Sequence, residues 1–224
     1  MQSCPSLCDY IRSLKIIHSP IQHGKTAKQS RLLQQKLVLD FYAFMSAISQ
    51  LSRLQSLVLD YLDLFLPTEY DILDVREIQS HVEHFSFFAH DEGRAFALDD
   101  LFVFLTAFPA VRTLQFQYLE FFPGPETTID FVPYYSNLEA LKMRNNDKTG
   151  SMVRILERAA SSNRLPVLKH IEVGWLCSDE QHSLRKLLLR LTRQLTHLTV
   201  QFKYLEADPD ICECHCTMTF SLLT

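Results

Sequence analysis

The segment Val111-Arg112-Thr113-Leu114-Gln115-Phe116 has the apolar spacing Φ-x-x-Φ-x-Φ, which returns six more times along the chain. The other copies are Ile11/Leu14/Ile16, Leu54/Leu57/Leu59, Val82/Phe85/Phe87, Leu138/Leu141/Met143, Leu168/Ile171/Val173 and Leu195/Leu198/Val200. Between their middle apolar residues the steps are 43, 28, 29, 27, 30 and 27. One such hexamer means little in a chain that is 47% hydrophobic, but a spacing held over five of six steps is the mark of a repeat array. Each unit then supplies one strand and buries its apolar face only against its neighbours.

Within each copy the second and third apolar residues point inward, so the residues between them alternate to the other face of a parallel sheet. Those residues are mostly polar: His84, Ser86 and Phe88 in one copy, then Thr113, Gln115 and Gln117, then Ala140, Lys142 and Arg144, then His170, Glu172 and Gly174. A flat parallel sheet has both faces covered and reads as continuous apolar strands, whereas a curved array leaves one face to water. The expectation is an α/β solenoid of the leucine-rich-repeat kind, with a curved parallel sheet of seven strands and helices and loops on its convex side.

Connections follow from periodicity and breakers. The spacing predicts a strand over Tyr10 to Ile17 and helices over Ser30 to Leu54, Asp71 to Ser80, Leu98 to Phe108, Gly150 to Ser162 and Asp179 to Arg193. Ser178 to Gln181 has the form of a capping box for the last of these. Phe122 to Ser136 contains Pro123, Gly124, Pro125 and Pro133 and reads as an irregular loop. The first step of 43 accommodates an inserted loop and longer helix, a reading preferred to one degenerate repeat in that interval. Residues 1–205 form a single domain on this reading.

Tyr10-Ile-Arg-Ser-Leu-Lys-Ile16, Phe108-Pro-Ala-Val-Arg-Thr-Leu-Gln-Phe116, Leu165-Pro-Val-Leu-Lys-His-Ile-Glu-Val173 and Leu195-Thr-His-Leu-Thr-Val200 resemble the leucine-rich-repeat regions of fungal F-box-like proteins. The resemblance covers residues 8 to 205 and implies the substrate-recruiting part of a ubiquitin-ligase subunit, a non-enzymatic protein-interaction module. Such proteins begin with an F-box that docks on the ligase adaptor. The short stretch before the first strand cannot contain it, so adaptor binding requires an F-box encoded upstream. The asparagine expected three residues beyond the last apolar position occurs only at Asn146.

A net charge of −4, with no run of basic residues, argues against nucleic acid as partner. The opening residues lack a secretory signal and no apolar stretch is long enough to span a bilayer, so an intracellular protein, cytoplasmic or nuclear, is expected, with no membrane partner. No nucleophile, phosphate-cradle or metalloprotease motif is present, and catalytic, cofactor and metal sites are expected to be none. Cys212-Glu-Cys-His-Cys216 could attract a soft metal, yet zinc ligands on so few adjacent residues cannot all converge. A small metal-dependent or hydrolytic enzyme using this cluster or the histidines is the alternative function.

The favoured reading places a protein partner on the concave sheet face, contacting His84, Phe88, Gln115, Gln117, Lys142, Arg144, His170, Glu172 and Trp175. The basic strip Arg185, Lys186, Arg190 and Arg193 reads as a solvated helix face. Residues 206–224 are expected to be an irregular tail, cut short before a further strand near position 226, with Val200 and Phe202 on an open, aggregation-prone edge.

Overall fold

The computed structural model describes residues 10–17, 38–60, 63–65, 80–88, 95–96, 98–117, 119–121, 135–144, 149–176, 181–203 and 215–221. In chain order these contain strand β1 (Ser13–Ile17), strand β2 (Val38–Asp40), helix α1 (Phe41–Ser49), and strands β3 (Ser56–Asp60), β4 (Asp63–Phe65) and β5 (His84–Phe88). Strand β6 (Ala95–Phe96), helix α2 (Leu98–Leu105), and strands β7 (Thr113–Gln117), β8 (Glu120–Phe121) and β9 (Ala140–Arg144) follow. The chain then forms helix α3 (Thr149–Ser161), strand β10 (His170–Leu176), helix α4 (Gln181–Leu191), and strands β11 (His197–Lys203) and β12 (His215–Ser221).

All seven Φ-x-x-Φ-x-Φ segments supply strands of one open sheet in the order β1-β3-β5-β7-β9-β10-β11, each pair parallel, with β12 added antiparallel to β11. The register aligns the middle apolar residues across the sheet: Leu14 faces Leu57, which faces Phe85, and so on through Leu114, Leu141, Ile171 and Leu198. One hydrogen-bond device opens six of these strands. The carbonyls of Arg12, Gln55, Glu83, Arg112, Glu139 and Lys169 each accept two consecutive amides of the next strand, at 2.7 to 3.0 Å. A carbonyl has two lone pairs, and this fork fills both, fixing where each strand begins relative to the last.

Strands β3, β7 and β9 alternate between half-exposed and buried residues, because one face packs on the helices and the other does not. The packed face builds a continuous core with Phe41, Phe44, Met45 and Ile48 of α1, Leu101, Val103, Phe104 and Leu105 of α2, Met152, Val153, Leu156 and Ala159 of α3, and Leu184, Leu187 and Leu191 of α4. Phe104 meets Phe41 edge-on at 5.7 Å, while Phe85 stacks on Phe108 at 4.9 Å. Each buried aromatic of this kind contributes about 1.5–3 kcal/mol by leaving water.

Local chemistry sets the helix ends. Asp40 caps α1 by accepting the Ala43 amide at 2.9 Å. Beyond α3, Asn163 takes a positive φ of 53°, and the amides of Asn163 and Arg164 return to the carbonyls of Ala160 and Ala159. This closes the helix with a left-handed residue, a conformation that asparagine tolerates better than most side chains.

Several expectations need correction. Val38 and Leu39, expected to be helical, lie in β2, because Asp40 caps the helix one residue before Phe41. Strand β2 pairs in parallel with β4, and β6 with β8, making two small sheets outside the main one that the sequence reading did not anticipate. The insertion after the first strand is supported, since β1 pairs directly with β3. Helix α4 falls within its predicted span and α3 begins one residue ahead of its own, at Thr149, while the capping-box residue Ser178, the helix expected over 71–80 up to its last residue and most of the loop over 122–136 lie outside the described residues. The end of the chain also differs from expectation. Residues 215–221 form a strand rather than an irregular tail, and Val200 and Phe202 are paired with Met218 and Cys216.

Candidate functional site

The face of the main sheet turned away from the helices carries the candidate residues, arranged by register into three rows running across the strands. The first row is Ser13, Ser56, His84, Thr113, Ala140, His170 and His197. The second is Lys15, Val58, Ser86, Gln115, Lys142, Glu172 and Thr199, and the third runs Ile17, Asp60, Phe88, Gln117 and Arg144. Parallel neighbours stand roughly 4.8 Å apart, so residues adjacent in a row are within side-chain reach.

Eight of the nine candidates, His84, Phe88, Gln115, Gln117, Lys142, Arg144, His170 and Glu172, therefore share one face. Trp175 belongs to the irregular end of β10, where the register with β11 shifts between Val173 and Leu176. An aromatic stands two residues after the last apolar position in four repeats, Tyr61, Tyr118, Trp175 and Phe202, a spacing that predicts the strand exits; Tyr61 and Tyr118 lie outside the described residues, while Trp175 and Phe202 lie in strands.

Charge on this face is partly self-neutralised. Arg144 grips Glu172 with two bonds, Nε to Oε1 and Nη2 to Oε2 at 2.9 Å, and Glu172 is only 7% exposed. At the other end Lys15 pairs with Asp60 at 3.0 Å. Lys142, in register between Gln115 and Glu172, makes no ion pair among the described residues and is the cation this face leaves available. Arg144 and Glu172, expected as separate contacts, act as one buried-edge unit, because a carboxylate this enclosed requires its guanidinium.

His170 and His197 stack at 5.5 Å with a 25° angle between rings, and Thr196 Oγ1 lies 2.9 Å from His197 Nδ1. Burial, then the positive charge of Lys142, then His197 hold His170 below its ordinary imidazole value; Glu172 opposes this and Arg144 adds to it. His84 stands apart, separated from His170 in the row by Thr113 and Ala140. No group of three or more His, Cys, Asp or Glu that could hold a metal occurs among the described residues. Cys212 and Cys214 fall outside them, while His215 and Cys216 begin β12 opposite Lys203 and Phe202.

One polar feature escaped the sequence reading. At the strand entrances Arg112 bonds Glu139 through Nη2 at 2.6 Å and Nε at 3.1 Å, and approaches Glu83 at 4.0 Å. The guanidinium lowers the Glu139 carboxyl first by hydrogen bonding and then by charge, and the carboxylate raises Arg112 in return. The signal was present as alternating sign at the residue before each of β5, β7, β9 and β10: Glu83, Arg112, Glu139, Lys169. Cross-strand pairs of opposite charge stabilise a register in this way.

Comparison of the chain with protein-family models, with characterised proteins and with solved structures found no match. The class that the fold defines is an α/β protein with an open parallel sheet, one face of which is packed on helices. No helix among the described residues is long and apolar enough to cross a membrane.

Proposed function

We propose that the chain is a non-enzymatic protein-interaction module, built as a leucine-rich-repeat-like solenoid, that binds a protein partner through the concave face of its sheet. The observation that carries this reading is the three-row face itself: mostly polar side chains in register on strands, all but Glu172 exposed or half-exposed, with no helix among the described residues packed against them. A preorganised face of this kind holds a partner without ordering loops on binding, which keeps the entropic cost of association low. Lys142, Gln115, Gln117 and Phe88 supply the contacts, while the Arg144–Glu172 unit shapes the surface beside them. Six consecutive forked carbonyls at the strand starts support the solenoid architecture, since each unit repeats its neighbour's bond.

By resemblance the module is the substrate-recruiting region of an F-box ubiquitin-ligase subunit, with adaptor docking dependent on an F-box encoded upstream of Met1. Genomic sequence there tests that part. The binding face is tested by affinity capture with the intact chain and with a His84→Ala/Gln115→Ala/Lys142→Ala variant. These three side chains leave the core and the Arg144–Glu172 pair intact, so a partner recovered with the intact chain is expected to be lost from the variant. Equal recovery with both would remove the sheet face as the binding surface.

A further inference from the structure

Helix α4 gives Leu184, Leu187 and Leu191 to the core and packs along α3, and no described element packs on a further flank. There Gln181, Leu184, Arg185, Leu188, Leu189 and Thr192 line an open hollow of about 260 Å³, to which no α3 residue contributes. Leu189 is 64% exposed, the most exposed large apolar side chain among the described residues. The helix itself is basic. Residues 181–193 hold Arg185, Lys186, Arg190 and Arg193 and no Asp or Glu, with Asp179 and Glu180 just ahead of them, in a chain whose net charge is −4. Arg185 lines the hollow, Lys186 stands three residues before Leu189 on the helix and Arg193 four after it. Arg185, Lys186, Arg190 and Arg193 are exposed and make no ion pair among the described residues.

We infer that this flank of α4 is a second docking surface, distinct from the sheet face, whose occupant is an acidic amphipathic helix of a partner protein. Charge complementarity selects the acidic face, and the hollow, with Leu184, Leu188 and Leu189 in its lining, selects an apolar anchor beside it. Such a helix would lie along α4 much as α3 does on its own side, ridges of one in grooves of the other. A lipid surface fits less well: Leu184, Leu187 and Leu191 are committed to the core and Leu188 is partly buried against it, leaving Leu189 alone for insertion.

The test is fluorescence anisotropy with a labelled helical peptide carrying leucine at heptad a and d positions and glutamate elsewhere, against a scrambled peptide of the same composition. The full chain is expected to bind the amphipathic peptide in preference to the scramble, with binding weakened by added salt. Leu189→Asp and Arg185→Glu should each weaken it at least about tenfold, the loss expected of an anchor residue. Both side chains are exposed, so unchanged thermal unfolding certifies the fold of these variants. The Gln115→Ala/Lys142→Ala variant should bind as the intact chain does; loss there would move the peptide to the sheet face and overturn the proposal. Equal affinity for the scramble, indifference to Leu189→Asp, or binding of phosphatidylserine vesicles without the peptide would each overturn it too. So would binding that appears only after Glu206→Gln/Asp208→Asn/Asp210→Asn/Glu213→Gln, since the chain's own acids would then be the occupant.

Discussion

Two enclosed polar groups on or beside the sheet, Glu172 and Tyr135, show opposite solutions to burial. Glu172 keeps its charge because Arg144 brings two donors to it. Arg144→Leu would leave that carboxylate enclosed and unpaired, and a loss of about 3 kcal/mol is expected in urea unfolding, in the lower part of the range for breaking a buried pair because Arg144 is itself partly exposed. Adding Glu172→Leu should recover much of the loss. Tyr135 has no such partner among the described residues: its hydroxyl is buried without a hydrogen bond there, and burial pushes its ionisation up. Replacing it with Phe removes the unpaired group while keeping the ring against the core, so Tyr135→Phe is expected to raise the melting temperature by a few degrees, on the order of 1 kcal/mol. A lowered melting temperature would mean that the hydroxyl is in fact satisfied.

At the level of elements, rows across strands create couplings that no single strand contains. His170 is held below the ordinary imidazole value of 6.5 by burial and by Lys142 on the neighbouring strand. The fold thus prefers the neutral ring: stability is complete above that ordinary value and is lost as pH falls through the lowered one. Lys142→Gln should move the His170 titration upward, as read from its ring proton shifts, and should soften the loss of stability in acid. The strands that make these rows were legible because their apolar spacing is local and recurs. The two small sheets were not, since strands of two or three residues show no alternation to read. The rows were only half legible. Which residues face outward followed from alternation, but the capture of Arg144 by Glu172 depends on a register between positions 28 residues apart. Strand β12 could have been found: in His215-Cys-Thr-Met-Thr-Phe-Ser221 the apolar residues Cys216, Met218 and Phe220 alternate strictly with polar ones, and attention to the longer spacing masked that shorter period.

For the molecule as a whole, every pairing in the main sheet joins strands that follow one another in it as they do in the chain. Most are separated by 27 to 30 residues, and the turn from β11 into β12 is shorter still. Low sequence separation keeps the cost of closing each loop small and lets structure spread from one strand to the next. Hydrogen exchange should therefore be slowest in β5, β7, β9 and β10 and faster toward β1, where Leu14 and Ile16 are only partly covered and Ile17 is exposed. Truncation after Lys203 removes the partner of β11, and light scattering should then report dimers or larger species, as a bare edge pairs with its equivalents. The antiparallel direction of β12 also makes the sheet's two borders unlike. Among the described residues β1 pairs on one side only, so a parallel strand can seat itself there in the register of the others, whereas against β12 the bonding pattern changes to alternating close and wide pairs and the parallel series is punctuated.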